Sequence, residues 1–303
     1  MKSIRSTTSH RLFITIVQLS ILLISGCHHV VSPSDSTQQT VVYTDDYGCT
    51  TTIPAHPTRI VSTSPAVTEI IYALGGDNLL VGRTDFCNYP PEALRIESIG
   101  GISNLNIEKI MSLNPDLVIS GSMIPKKSTI QMEKMGVPTV CVIEKKQYNG
   151  LYENISKIGH LIGRDQAADS LNALLRERLA QLNVQTDAKP KTVYYVVGFG
   201  ASGNFTAGGD SFINDIIEIA GGQNIAKDNT GWSYSLENLM KQNPEYIIIR
   251  REDSATFCNM SPYNQLQAVK SGQVIAIESS LIDLQVPRNT EAIQFLFDRL
   301  HKQ

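Results

Sequence analysis

The sequence predicts an α/β protein of two similar lobes, each a parallel sheet flanked by helices, joined by one long bridging helix. Three observations predict it. The first is an internal repeat. Asn106-Ile-Glu-Lys-Ile-Met-Ser-Leu-Asn-Pro-Asp116 leads into Leu117-Val-Ile-Ser120, and Ser235-Leu-Glu-Asn-Leu-Met-Lys-Gln-Asn-Pro-Glu245 leads into Tyr246-Ile-Ile-Ile249. Each copy is a polar cap, a short helix, an Asn-Pro stop and a buried strand. The second is the alternation of strands with helices throughout both halves, which gives a parallel sheet covered on both faces. The third is the stretch Asp165 to Val184, with Ala168, Leu171, Leu174, Leu175, Leu179 and Leu182 at helical spacing. About twenty residues in a helix span ~30 Å, enough to bridge two lobes at the boundary between the repeats.

Taken in order, the chain opens as an export signal. Lys2, Arg5 and Arg11 precede the apolar run Leu12 to Ile24, which ends in Ser25-Gly26-Cys27. That run is short for a membrane span, which needs ~20 apolar residues. Ile24-Ser25-Gly26-Cys27 is similar to the bacterial lipobox, so residues 1–26 are expected to be removed and Cys27 to carry lipid. A lipid tethers a domain to a membrane surface without spanning it. Residues 27–40 read as a tether, because His28 to Thr40 is polar, contains Pro33 and has no period. The ordered part is expected to begin near Val41. The first lobe then covers 41–164, the bridging helix 165–187 and the second lobe 188–303.

Within the first lobe, Arg59 to Ser62 reads as a strand and Glu69-Ile-Ile-Tyr-Ala-Leu-Gly-Gly76 as a helix end. The repeat strand Leu117 to Ile119, a helix at Gln131 to Met135 and a strand at Pro138 to Ile143 follow. The second lobe matches. Thr192 to Val197 is a strand, Asp215-Ile-Ile-Glu-Ile-Ala-Gly-Gly222 a helix end, Tyr263 to Lys270 a helix and Gln273 to Ile277 a strand.

Composition narrows the function. A formal net charge of -3 offers no basic surface for nucleic acid. Cys49, Cys87, Cys141 and Cys258 are scattered, without C-x-x-C, so a clustered zinc site is not expected. Export permits disulfides among them, and four cysteines allow three pairings. Cys141, inside an apolar run, reads as a buried thiol. His56 and His160 alone lie away from the termini, too few for a histidine-rich metal site. Gly198-Phe-Gly-Ala-Ser-Gly203 matches a dinucleotide fingerprint, but Asn204 to Asp210 separates it from the next helix, so no helix N-terminus meets a pyrophosphate. Neither G-x-S-x-G nor H-E-x-x-H occurs, and Ser62 and Ser64 lack an obvious histidine partner. A tethered hydrolase is the remote alternative class, and the α/β pattern argues against an adhesive β-sandwich.

Four segments carry a family resemblance: Arg59-Ile-Val-Ser-Thr-Ser-Pro-Ala-Val-Thr-Glu69, Thr84-Asp-Phe-Cys-Asn-Tyr-Pro-Pro-Glu-Ala93, Glu108 to Ile119, and Phe205-Thr-Ala-Gly-Gly-Asp-Ser211 through Gly221-Gly-Gln-Asn-Ile225. The chain resembles the substrate-binding lipoproteins of ABC importers for cobalamin, haem and ferric siderophores. That resemblance implies the class III periplasmic-binding-protein layout of two lobes and one long helix, with the ligand between the lobes. It implies a non-enzymatic, membrane-anchored monomer facing the periplasm or the cell exterior, which delivers its ligand to a permease with its ATPase. A corrinoid is the first expectation, with haem and a ferric siderophore as alternatives. No cofactor or resident metal is expected.

Ligands of α/β sheets bind beyond the carboxyl ends of strands. Ser64, Pro65 and Phe86 in the first lobe and Phe199, Phe205, Trp232 and Tyr234 in the second lie in such loops, and aromatic faces suit a flat macrocycle. Each aromatic is weighed against ordinary core packing. Trp232 stands out because Asp228-Asn-Thr-Gly-Trp-Ser233 is polar and turn-rich. It is the sole tryptophan, and Ile102 and Gly121 stand where cobalamin-binding relatives suggest further cleft aromatics. Tyr89 or Tyr263 would serve a haem. Glu108 and Glu237 occupy the same step of the two repeats. An acid in a helix's first turn already interacts favourably with the dipole, by ~0.3–1 kcal/mol. The resemblance adds a role for the pair, one glutamate per lobe docking onto arginines of the permease.

Overall fold

Two four-stranded parallel sheets carry the architecture of the computed structural model, which describes residues 39–182 and 189–301. The expected signal, the expected lipidation site Cys27 and most of the expected tether lie outside the described residues. The first described element is a hairpin, β1 (Thr40–Thr44) and β2 (Thr50–Pro54). Its turn is fastened to the first lobe. Asp45 accepts from the backbone N–H of Tyr47, Cys49 and Cys141, and Asp46 pairs with Lys145 at 3.1 Å and Lys157 at 2.5 Å.

The first lobe continues as β3 (Ile60–Ser62), α1 (Pro65–Ala73), β4 (Leu80–Arg83), α2 (Ile107–Ser112), β5 (Leu117–Ser120), α3 (Lys126–Lys134), β6 (Thr139–Cys141) and α4 (Gly150–Leu161). Its sheet order is β4-β3-β5-β6. Helix α5 (Asp165–Ala180) follows and packs on α4. The second lobe is β7 (Lys191–Val196), α6 (Phe212–Ile219), β8 (Gly222–Asn224), α7 (Leu236–Gln242), β9 (Tyr246–Arg250), α8 (Ser254–Asn259), α9 (Gln267–Lys270), β10 (Val274–Ile277) and α10 (Asn289–His301). Its order, β8-β7-β9-β10, repeats that of the first lobe strand for strand. The inner strands β5 and β9 carry buried runs over Leu117–Ser120 and Tyr246–Ile249, as sheets covered on both faces require.

Helix α5 touches α4 of the first lobe and α10 of the second. It ends at Ala180, so it measures ~24 Å where the sequence suggested ~30 Å. Two further departures concern local elements. Helix α3 starts at Lys126, before the expected Gln131, because Thr129 and Met132 both turn into the core. The expected helix over Tyr263 to Lys270 is a 3-10 turn at Tyr263–Gln265 followed by α9.

The repeat extends to hydrogen bonding. Asn106 caps α2 by accepting from Lys109 N–H, and Ser235 caps α7 by accepting from Asn238 N–H. Asn114 and Asn243 both take the left-handed conformation, at φ 47° and 44°, which Asn tolerates better than most residues. Asp116 then accepts from the N–H groups of Thr58 and Arg59 at the start of β3. Its counterpart Glu245 accepts from Thr192 N–H at the start of β7.

The lobes also grip each other. Glu69 on α1 receives two hydrogen bonds of 2.9 Å from Arg288, just ahead of α10. Asp215 on α6, the counterpart of Glu69, accepts at 2.8 Å from the backbone N–H of Tyr148, just ahead of α4. Between them Gln285, fully buried, accepts from Lys145 N–H and donates to the Gln147 carbonyl. Cys49, Cys87, Cys141 and Cys258 are free thiols. Cys141 is buried as expected, and burial pushes its thiol up to about 11.

Candidate functional site

The carboxyl ends of both sheets meet in a cleft between the lobes. At the β6/β8 end lies a pocket of about 230 Å³, lined by Glu144, Lys145 and Lys146 from the first lobe and by Asp210, Phe212 and Trp232 from the second. Lys146 reaches across to Asp210 at 3.0 Å. Asp210 also accepts from Gly231 N–H, and that bond, with Lys146 second, holds its carboxyl below the usual range. Lys145 is turned away onto Asp46. Glu144 accepts a short hydrogen bond from Ser122 Oγ.

At the β4/β10 end Tyr89 is half exposed, and the Arg288 guanidinium lies 3.4 Å over its ring. Burial opposes the charge on Arg288, but the hydrogen bonds and field of Glu69 hold its pKa above the ordinary value. Alongside, Arg250 pairs with Asp283 at 2.9 Å. The Tyr195 phenol donates to the same carboxylate, and its pKa is raised by burial and then by Asp283.

The expected site residues divide. Trp232 is 49 % exposed and lines the pocket. Phe86 is exposed on the loop after β4. Ser64 is buried and Pro65 partly buried at the start of α1, and neither lines the pocket. Ser64 is buried against Gly121, where any Cβ would stand 2.6 Å from Ser64 Cβ. Phe205 is partly exposed and lies over Gly198, where a Cβ would stand 3.1 Å from its ring. Gly200 and Gly203 have positive φ, so the glycine motif serves chain geometry and the seat of Phe205.

One expectation is corrected: Tyr234 is buried against Tyr194, with ring centroids 5.6 Å apart. Phe199 is partly buried and packs edge-on to Phe257 and Tyr263 at 5.2 and 5.7 Å, against the second lobe's core. Tyr263 is buried too, with its hydroxyl spent on Asn204 and Gly200. Ser62 is engaged with Ser64 O and Thr68 Oγ1.

Glu108 and Glu237 are both exposed in the first turns of α2 and α7. The start of α2 is held near the carboxyl end of β4 through Asn106 N–H to Ile99 O and Ile99 N–H to Arg83 O. The start of α7 is held beyond the carboxyl end of β7 through the Gly198–Phe205–Ser233 bridges. The two acids thus sit on the cleft side of their lobes. Neither makes an ion pair with another side chain among the described residues.

Sequence reasoning missed Glu144, the Lys146–Asp210 bridge and the Glu69–Arg288 pair. Glu144 had a readable signal, since it directly follows the predicted strand Pro138 to Ile143. Arg288 had none, because its partners lie far away in the chain. Among the described residues no group of three or more His, Cys, Asp or Glu converges to hold a metal, and no helix is long and apolar enough to cross a membrane.

A periplasmic binding protein family model matches residues 60–281. The chain is 29% identical over 297 residues to an uncharacterised ABC transporter substrate-binding lipoprotein of Bacillus subtilis, covering 93% of this chain and 94% of that one. It is 29% identical to a cobalamin-binding protein of Halobacterium salinarum over 82% of this chain and 71% of the other. The crystal structure of the periplasmic vitamin B12 binding protein of Vibrio cholerae superposes with a TM-score of 0.69 at 25% identity, over 80% of this chain and 96% of that one.

Proposed function

This chain belongs to the periplasmic binding protein family, and from that premise we propose that it captures a corrinoid between its lobes and delivers it to the permease of an ABC importer. The observation that carries the reading is the interlobe pocket, with exposed Trp232 on one wall and Glu144 on the other. A rigid aromatic face suits a macrocycle, and a cleft shared by two lobes suits a ligand too large for one. The relatives named for cobalamin and vitamin B12 support the same choice. Nothing in the cleft calls for catalysis, and the role is binding and delivery.

Haem is the second reading, and Tyr89 favours it. Its phenol stands half exposed at the β4/β10 end of the cleft, in reach of a ligand iron. A ferric siderophore is the third outcome of the same test. Glu108 and Glu237 are the docking acids, one on each lobe, meeting basic patches of the permease. Cys27 is the lipid attachment point that keeps the receptor at the membrane.

Isolation from native membranes tests both ends of the proposal. The visible spectrum of the purified protein is expected to be that of a corrinoid, and Cys27→Ser is expected to move the protein into the soluble fraction. A Soret band or a siderophore charge-transfer band overturns the ligand, and a membrane-bound serine variant overturns the anchor.

A further inference from the structure

We propose that Glu144 makes the cleft selective for macrocycles bearing neutral amides and against those bearing carboxylates. The inference rests on reading the cleft as a macrocycle site, and deepens it. The pocket holds three charged groups from the first lobe and one from the second. Both cations are spent. Lys145 Nζ pairs with Asp46, and Lys146 Nζ pairs with Asp210 across the cleft. Asp210 is held a second time by Gly231 N–H, which fixes the carboxylate that occupies Lys146. The start of α6 is also satisfied: Ser211 Oγ accepts from Asn214 N–H, and Asp215 stands in its first turn.

That leaves Glu144. Among the described residues its hydrogen-bonding partner is a neutral hydroxyl, Ser122 Oγ, and no cation pairs with it. Asp46 is shared by Lys145 and Lys157, and Asp210 takes Lys146, so Glu144 is the charged group of the pocket lining left without a charged partner among the described residues. A peripheral amide has N–H groups to donate to a Glu144 oxygen, and a hydrogen bond to a charged acceptor is among the stronger kinds. A carboxylate placed there faces a like charge, while both pocket lysines already have carboxylate partners. Corrinoids carry amides around the ring, whereas haem carries carboxylates. Glu144 therefore sorts the two by charge rather than by size.

Calorimetry with cyanocobalamin and with a cyanocobalamin monocarboxylate, in which one peripheral amide is hydrolysed, tests this on the whole mature protein and on Glu144→Gln. The wild type is expected to favour the amide form at least about tenfold, and Glu144→Gln to bring the two within about threefold, chiefly by tighter binding of the acid. The wild-type preference is expected to shrink as salt rises, while that of Glu144→Gln stays flat. Ser122→Ala, which keeps the charge, is expected to retain the preference and so separates charge from local packing. Equal wild-type affinities, or the same preference in wild type and Glu144→Gln, overturn the inference and leave the corrinoid reading standing. Tight binding of haemin with none of cyanocobalamin overturns both.

Discussion

Glu69 of the first lobe and Asp215 of the second hold the same place in the repeat, and each reaches into the other lobe. Their bonds differ in kind. Glu69 meets Arg288 in a two-pronged ion pair whose side chains are 5% and 8% exposed. Asp215 meets one backbone N–H, that of Tyr148. Both partners sit just ahead of the last helix of the opposite lobe, so the contacts are reciprocal in position and unequal in strength. The β4/β10 end of the cleft is thereby fixed by a buried pair. The β6/β8 end is held by the Asp215 hydrogen bond, by those of Gln285 to Lys145 and Gln147, and by the half-exposed Lys146–Asp210 bridge, of the class worth ~0–1 kcal/mol. The candidate pocket lies at the end without a buried ion pair. Duplication supplied two equivalent positions, and their divergence leaves the ion pair at one end of the cleft and the single backbone bond of Asp215 at the other.

The largest expected effect concerns the pair that stayed alike. Reversing the charge of Glu108 and Glu237 together is expected to abolish uptake in cells while leaving ligand affinity unchanged, and either single reversal to have a partial effect. Permease binding is expected to weaken with salt, as for other charge-steered contacts. Normal transport by the double variant overturns the docking role.

The unequal latches come next. Arg288→Ala strands the buried Glu69 carboxylate and is expected to cost ~3–5 kcal/mol in urea unfolding. Asp215→Ala removes one charge-assisted bond and is expected to cost ~1–3 kcal/mol. Equal losses, or the reverse order, break the comparison.

How much of this was legible in sequence depends on how local each cause is. Helix caps, Asn-Pro stops and fully buried strands announce themselves within a few residues, so the repeat and the two lobes could be read directly. Strands β4 and β8 escaped. One is interrupted by Gly82, the other is Gly222-Gln-Asn224 with no apolar side chain, and both are edge strands paired on one side. The aromatics were sorted only in part. Trp232 and Tyr234 are two residues apart, a spacing that a regular strand would place on one face. Phe205 bridges to the intervening Ser233, Trp232 faces solvent, and Tyr234 enters the core. Their different burial departs from strand periodicity, and no local pattern around Trp232 reveals it. The Glu69–Arg288 pair is set by the meeting of the lobes.

The smallest effect sharpens a feature of the first lobe alone. Burial by itself would raise the Asp46 carboxyl, but hydrogen bonds from Lys157, Ile143 N–H and Lys145 pull it below the usual range. A group depressed in the folded state stabilises above its unfolded pKa, and that contribution fades as pH falls through the folded value. Stability is therefore expected to fall as pH drops through and below the ordinary carboxylate range, and Asp46→Asn to flatten that part of the profile. An unchanged acid limb in Asp46→Asn removes the hairpin clamp from the account.

The central claim is that the cleft between these lobes captures a corrinoid. Titration calorimetry of the mature protein with cyanocobalamin, haemin and a ferric siderophore tests it most directly, with the fluorescence of Trp232 read in parallel. The account predicts saturable one-to-one binding of cyanocobalamin, quenching of Trp232 and an affinity loss of ~1–3 kcal/mol in Trp232→Ala. Binding of haemin or the siderophore in its place, or cyanocobalamin binding that leaves both Trp232 fluorescence and the Trp232→Ala affinity unchanged, would contradict it.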